Sequence, residues 1–124
     1  IWTANEGAEG PVLVAGGSVF LVSDEARIVR LDAATGQQIW SRDLPFFKRD
    51  RARRHKAVFA YYGPVLAGGK LWVASDDGTI RGFNPETGDQ VTSLDVPGGA
   101  ASNMSVANGT MYVISGNGQL HAFR

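Results

Sequence analysis

A repeated segment limits the folds that this chain can adopt. Residues 15–36 (AGGSVFLVSDEARIVRLDAATG) align without a gap with residues 67–88 (AGGKLWVASDDGTIRGFNPETG), at an offset of 52. Residues 107–124 (ANGTMYVISGNGQLHAFR) align with the second copy at an offset of 40. The first offset is longer because the stretch PFFKRDRARRHK is inserted at residues 45–56. Repeats of this length, with several short strands each, are typical of β-propellers.

Turn residues divide each repeat into short strands. Gly16-Gly17, Gly68-Gly69 and Asn108-Gly109 are pairs that favour tight β-hairpins, because both residues accept positive φ. The pattern predicts innermost strands at residues 11–14, 63–66 and 103–106. It predicts second strands at 19–22, 71–74 and 111–114, third strands at 28–31, 79–83 and 119–123, and fourth strands at 38–42 and 90–95.

The strand count predicts an all-β fold, a β-propeller of four-stranded antiparallel blades. Residues 11–44 and 57–96 are expected to be complete blades, and residues 102–124 three strands of a last blade. Residues 1–4 are expected to be the fourth strand of a preceding blade, since Ile1-Trp2 matches Ile39-Trp40. Because propellers close with about four to eight blades, we expect about three blades of a larger ring. Its open blade edges predict self-association.

Composition removes several classes of function. The formal net charge is zero, which gives no support for binding nucleic acid or a membrane surface. The chain has no cysteine, so it can form neither a disulfide framework nor a thiolate metal site. His55 and His121 each lack a second ligand at metal spacing. The serines at 23, 75 and 115 recur in register, which indicates a structural rather than a nucleophilic role.

The segment LDAATGQQIW, residues 31–40, resembles the tryptophan-docking signature of PQQ-like repeats. Asp32 and Thr35 can hydrogen-bond the backbone around the turn at Gly36, and Trp40 would place a large ring between blades. The second copy, FNPETGDQVT, keeps the turn at Thr87 and Gly88. It has Asn84 in place of the acid and Thr92 in place of the tryptophan, so it is a degraded signature.

Within that superfamily the chain resembles the last blades of the BamB family of outer-membrane assembly lipoproteins. The features that carry the resemblance are PVLAGGKLWVASDDGTIRGFNPETGDQV followed by a final repeat, VANGTMYVISGNGQLHAFR, that stops at its third strand. The resemblance implies an eight-bladed ring in the periplasm, held at the outer membrane by a lipid anchor outside this chain. It further implies a non-catalytic scaffold whose partner is the barrel-assembly subunit, with no cofactor.

Two other functions remain open from the sequence. PQQ-dependent dehydrogenases share this repeat. A dehydrogenase function would require a quinone and calcium. Asp24, Asp76 and Asp77 could be imagined as calcium ligands, but they occupy equivalent turns, where aspartate caps its own backbone. The other alternative is a repeat sensor domain of a membrane protein.

The insertion is the one feature that the repeat does not explain. Residues 42–56 contain seven basic and two acidic side chains, flanked by aromatic residues. The candidate partner-binding residues are Lys48, Arg49, Arg51, Arg53, Arg54 and Lys56. Basic and aromatic side chains together are common in protein interfaces, so one hypothesis is that these residues dock an acidic partner. The alternatives are a solvated loop that pairs with the acidic turns at 24–25 and 76–77, and binding of an anionic lipid or nucleic acid.

Overall fold

The computed structural model describes residues 12–45, 60–101 and 104–123, and regular structure in these ranges is entirely β-strand. Eleven strands in the described ranges form three antiparallel sheets. No helix in the same ranges is long and apolar enough to cross a bilayer. The predicted edge strand at residues 1–4 lies outside the described residues, as does most of the insertion.

Each sheet is a meander of strands that follow one another along the chain. The first sheet comprises β1 (Leu13–Ala15), β2 (Ser18–Val22), β3 (Arg27–Asp32) and β4 (Gln38–Asp43). The second comprises β5 (Tyr61–Ala67), β6 (Lys70–Ser75), β7 (Thr79–Phe83) and β8 (Gln90–Asp95). The third comprises β9 (Ser105–Ala107), β10 (Thr110–Ile114) and β11 (Leu120–Phe123).

The innermost strands have different ends from those that the sequence predicts. β1 and β9 end at Ala15 and Ala107, one residue later than predicted. The reason is the two-residue hairpin: Ala15 pairs directly with Ser18, so only Gly16 and Gly17 remain in the loop. β5 is longer than predicted, and its register shifts between Tyr62 and Val65. The second, third and fourth strands begin and end within one residue of their predicted positions.

The core lies between the sheets. Phe20, Val22 and Ile28 of the first sheet pack with Leu71 and Val73 of the second in one buried cluster. Alternate residues of the first sheet, Leu21, Val29 and Leu31, form a separate cluster on its opposite face. The run SVFLV is therefore apolar on both faces because both faces are buried, and strict alternation is absent.

A second cluster joins the second sheet to the third. Ala74 and Ile80 of the second sheet pack with Met111 and Val113 of the third. The second sheet thus packs one face against the first sheet and the other against the third.

Candidate interaction site

Trp40 joins the first sheet to a turn of the second. Its side chain is buried, and its Nε1 donates a hydrogen bond to the carbonyl of Pro85 at 2.9 Å. The indole lies against Gly88, where an added Cβ would be 2.7 Å from Trp40 Cδ2. Gly88 also has a φ of +80°, a conformation that L side chains rarely adopt. The turn therefore requires glycine at this position for two independent reasons.

The turn that follows β3 is closed by the side chains that the sequence singled out. Asp32 Oδ1 accepts hydrogen bonds from the backbone N–H groups of Ala34 and Thr35, at 2.8 and 3.2 Å. Thr35 Oγ1 accepts from the N–H of Gln37, and the N–H of Gly36 donates to the Asp32 carbonyl. The geometry satisfies the backbone of a tight turn without help from another sheet.

The equivalent turn of the second sheet has the same hydrogen bonds. Asn84 Oδ1 accepts from the N–H groups of Glu86 and Thr87, at 2.8 and 3.4 Å. Thr87 Oγ1 accepts from the N–H of Asp89, and the N–H of Gly88 donates to the Asn84 carbonyl. Asparagine replaces aspartate here because the turn needs only an acceptor oxygen and no charge.

Two arginines that the sequence analysis did not single out complete this contact. Arg30 Nη1 donates to the Pro85 carbonyl at 3.1 Å, and Arg42 Nη2 donates to the Thr87 carbonyl at 2.6 Å. The Arg42 guanidinium also lies over the Trp40 ring, 5.9 Å from its centroid, within cation–π range. We call Arg30, Trp40 and Arg42 the docking trio, since all three donate to backbone carbonyls of one turn.

The six basic candidates from Lys48 to Lys56 lie outside the described residues. The described residues at both ends of the insertion are nevertheless fixed. The hydroxyl of Tyr61 donates to the carbonyl of Pro45. Ala60 and Asp76 exchange two hydrogen bonds, one of them from the Ala60 N–H to Asp76 Oδ1 at 3.0 Å. Ala60, the first described residue after the insertion, therefore lies beside the β6–β7 turn.

That turn contains a paired carboxylate. Asp77 Oδ2 lies 2.7 Å from Arg81 Nη2, and both side chains are largely buried. Burial acts to raise the pKa of Asp77, but hydrogen bonds from Arg81 and Ser75 and the charge of Arg81 outweigh it and hold the pKa below its usual value. In the first sheet Glu25 is paired with Arg27 at 2.9 Å. Each of these two acidic side chains is thus paired with an arginine of its own sheet.

The three serines in register lie in equivalent buried turns. Ser23 Oγ accepts from the backbone N–H groups of Glu25 and Arg27. Ser75 Oγ donates to Asp77, and Ser115 Oγ donates to Asn117. Their relative exposure is 1% or less, which is consistent with a structural role. Within the described ranges, no three His, Asp or Glu residues come together in a group that could hold a metal ion.

Solved structures share this arrangement of sheets. BamB from Moraxella catarrhalis superposes with a TM-score of 0.77 at 19% identity, covering 98% of this chain and 34% of that one. The WD40 propeller domain of Doa1 superposes with a TM-score of 0.69 at 19% identity, over 92% of this chain and 36% of that one. These likenesses confirm the predicted fold, a β-propeller of which this chain forms a part.

Curated proteins are similar in sequence as well. "Outer membrane protein assembly factor BamB" of Yersinia pestis is 29% identical over 107 residues, which is 86% of this chain and 27% of that protein. The dehydrogenase subunit of a quinone alcohol dehydrogenase from Gluconobacter oxydans is 30% identical over 90 residues, which is 73% of this chain and 12% of the subunit. The chain spans about a quarter of the length of the BamB relatives that it matches.

A family model identifies the family to which the chain belongs. The model described as outer membrane protein assembly factor BamB matches residues 55–124, which is more than half of the chain and includes the second and third sheets. On this match, and with the propeller packing described above, the chain belongs to the BamB family of PQQ-like repeat propellers.

Proposed function

We propose that this chain is part of a non-catalytic protein-interaction scaffold in the assembly of outer-membrane β-barrel proteins. The observation that carries the proposal is the match of residues 55–124 to the BamB family. The packing is consistent with it, because the clusters between the sheets and the buried serines are occupied by structural contacts. The rims and the open blade edges are the proposed surfaces for partners.

The partner is a protein, the barrel-assembly subunit, and the proposed contact is the basic insertion. The described residues that flank it are held by hydrogen bonds, Ala60 to Asp76 of the β6–β7 turn and Pro45 to Tyr61. The reason for choosing an acidic surface as the partner is the charge of the insertion itself, since residues 42–56 contain seven basic and two acidic side chains. A periplasmic location at the outer membrane, with a lipid anchor outside this chain, belongs to the same proposal.

Calorimetric titration of the chain with the periplasmic domains of the barrel-assembly subunit tests this proposal. Saturable binding at tens of micromolar or tighter is expected, and its absence in that range would overturn the scaffold function. A variant with glutamine at Arg49, Arg51, Arg53 and Arg54 should bind more weakly, whereas the matched lysine variant, which keeps the charge, should retain most binding. Equal binding by the glutamine variant would remove the insertion from the interface.

Self-association through open blade edges is part of the proposed behaviour. Leu120 is 65% exposed, whereas Ile28 and Ile80, at the same repeat position, are fully buried. Ile114 is 45% exposed, whereas its equivalents Val22 and Ala74 are 2% or less exposed. Among the described strands β11 lies at the edge of its sheet, and an apolar face at such an edge favours the addition of another chain. The strand expected at residues 1–4 of a second copy would add beside β11, and a monodisperse monomer in light scattering would overturn this.

A quinone-dependent dehydrogenase is the second candidate, because a relative with that activity is 30% identical over 73% of this chain. The described ranges contain no group of three His, Asp or Glu residues that could hold calcium, so these residues do not provide that part of such a site. Titration with pyrroloquinoline quinone and calcium, followed by absorbance, tests this candidate. Saturable calcium-dependent binding would support it, and no change in the quinone spectrum would exclude it for this chain.

A further inference from the structure

The connection that leads into the second sheet and the one that leads into the third share a backbone hydrogen bond. The N–H of Asp76 donates to the Ala60 carbonyl at 3.1 Å, and the N–H of Gly116 donates to the Gly99 carbonyl at 2.8 Å. Asp76 and Gly116 correspond at the repeat offset of 40. Ala60 and Gly99 are therefore equivalent positions, although only the first connection contains the insertion.

Asp76 adds a side-chain hydrogen bond that Gly116 cannot form. Its Oδ1 accepts from the N–H of Ala60 at 3.0 Å. At the other connection a side chain would not fit, because an added Cβ at Gly116 would lie 2.6 Å from the Gly98 carbonyl oxygen. The carboxylate is therefore specific to the connection that contains the insertion.

Tyr61 is a second side chain that is specific to this connection. It pairs with Ser75 across β5 and β6, as Ala100 pairs with Ser115 at the third sheet. Tyr61 is buried, and its hydroxyl donates to the carbonyl of Pro45, the last described residue before the insertion. Alanine at the equivalent position has no hydroxyl group to donate. The bond from Tyr61 thus joins the residues on the two sides of the insertion.

The β6–β7 turn gives these contacts a firm support. Within it the side chains of Asp77 and Arg81 are paired at 2.7 Å and largely buried. From the other side, Gly99 packs so closely that an added Cβ would lie 2.5 Å from the Asp76 carbonyl oxygen. The turn is held by its own sheet and by the connection that follows, so Asp76 presents its carboxylate to Ala60 from a fixed position.

The third sheet shows that such a connection can close with the backbone hydrogen bond alone. The added bonds of Asp76 and Tyr61 are therefore not required for the stacking of sheets, and their effect falls on the insertion between them. A loop whose flanking residues are tied loses less conformational entropy when it binds. Such a loop binds its partner more tightly without making any additional contact.

We propose that Asp76 and Tyr61 are positioning residues, which hold the flanks of the basic insertion so that it meets an acidic protein surface in one arrangement. The proposal rests on the proposed scaffold function for the identity of the partner. The hydrogen bonds themselves can be measured in the chain alone, so the two proposals can fail separately.

Amide hydrogen exchange tests the Asp76 contact without a partner. Asp76→Ala removes the acceptor, whereas Asp76→Asn keeps an acceptor oxygen, and both remove the same charge. The Ala60 amide should exchange about three- to tenfold faster in the alanine variant than in the asparagine variant. Equal exchange would overturn the role of Asp76. If Asp76→Ala does not fold, the unmodified chain decides, because an Ala60 amide that exchanges as fast as in an unfolded peptide would also overturn it.

Calorimetric titration with the periplasmic domains of the barrel-assembly subunit tests the effect on binding. Asp76→Ala should bind several-fold more weakly than Asp76→Asn. Tyr61→Phe, which loses only the hydroxyl, should bind several-fold more weakly than the matched variant Tyr62→Phe. Equal binding within either pair would overturn the proposal for that residue.

A double-mutant cycle separates positioning from a general loss of structure. In the chain with glutamine at Arg49, Arg51, Arg53 and Arg54, the weakening caused by Asp76→Ala should disappear, because the insertion no longer contributes to binding. The same several-fold loss in both backgrounds would show that Asp76 acts on the fold, and would overturn the proposal. A chain that does not bind at all would overturn the scaffold function, while the exchange of the Ala60 amide would still decide the Asp76 contact.

Discussion

The indole of Trp40 and the Cα of Gly88 are in contact across two sheets, and no side chain fits between them. Gly88→Ala should therefore cost more than the backbone strain of a positive φ. Gly118→Ala is the matched control, because Gly118 has a φ of +85° and open space where its Cβ would be. The control should lose about 1–2 kcal/mol of unfolding free energy. Gly88→Ala should lose a further 1–3 kcal/mol or so by overpacking. Urea denaturation measures both, and equal losses would contradict the contact.

The Pro85 carbonyl accepts from both Trp40 and Arg30, which makes the two donors interdependent. Trp40→Phe keeps a ring but removes one donor, and should cost about 0.5–1.5 kcal/mol. Arg30→Leu leaves the other donor in place. The double variant leaves that carbonyl without either donor, so its loss should exceed the sum of the single losses by about 0.5 kcal/mol or more. A double-mutant cycle measured by denaturation checks this, and strict additivity would show that the two bonds are independent.

The pairing of Asp77 with Arg81 predicts a pH dependence of stability. Because the folded-state pKa of Asp77 is lowered from 3.8, its contribution is present above that pH and is lost as pH falls through the folded value. Asp77→Asn should cost about 1.5–3 kcal/mol at pH 7, and this difference should shrink as the pH falls below about 4. Denaturation curves across this pH range give the measurement.

Glu25→Gln is the control for that experiment, since Glu25 occupies the same position of the first repeat. Its pair with Arg27 is at the surface, with the glutamate side chain 71% exposed. The control should change the unfolding free energy by less than about 1 kcal/mol at pH 7. A loss of unfolding free energy as large as that of Asp77→Asn would show that burial does not explain the contribution of the Asp77–Arg81 pair to stability.

The exposed face of the third sheet predicts how association responds to substitution. Leu120→Lys should shift the chain towards monomer in sedimentation velocity, because it places a charge where apolar contact is proposed. Its own stability should change by less than about 0.5 kcal/mol, as for most surface substitutions. Val91→Lys, at another exposed apolar position, is the control and should leave association unchanged. Equal effects of the two variants would contradict a role for the third sheet.

The turns made the fold predictable from sequence. Two-residue hairpins such as Gly16-Gly17 fix strand register locally, so a pattern read along the chain places strands within about one residue. The one-residue error in the innermost strands arose because Ala15 and Ala107 belong to the ladder and not to the turn.

Of the docking trio, only Trp40 was predictable from the sequence. Trp40 belongs to a recognisable signature, but Arg30 and Arg42 act on a turn 45 to 55 residues away along the chain. Their one local signal is that Arg30 pairs with Trp40 across β3 and β4, and Arg42 lies two residues further on the same face. Which carbonyls they reach depends on how one twisted sheet stacks on the next, and no local pattern encodes that. The six basic candidates, from Lys48 to Lys56, stay a prediction.

The two junctions between sheets differ in kind and not only in strength. Hydrogen bonds to the carbonyls of Pro85 and Thr87 are directional, so they fix the angle between the first two sheets as well as their distance. Between the second and third sheets, apolar contacts such as those of Ile80 with Met111 are combined with backbone hydrogen bonds of the connecting segment, from the Ala100 N–H to the Ser75 carbonyl and from the Ala101 N–H to the Ile114 carbonyl. The first two sheets are thus joined by side chains that reach a turn, whereas the second and third are joined by the backbone of the segment that connects them, so substitution of side chains can loosen the first connection but not the hydrogen bonds of the second.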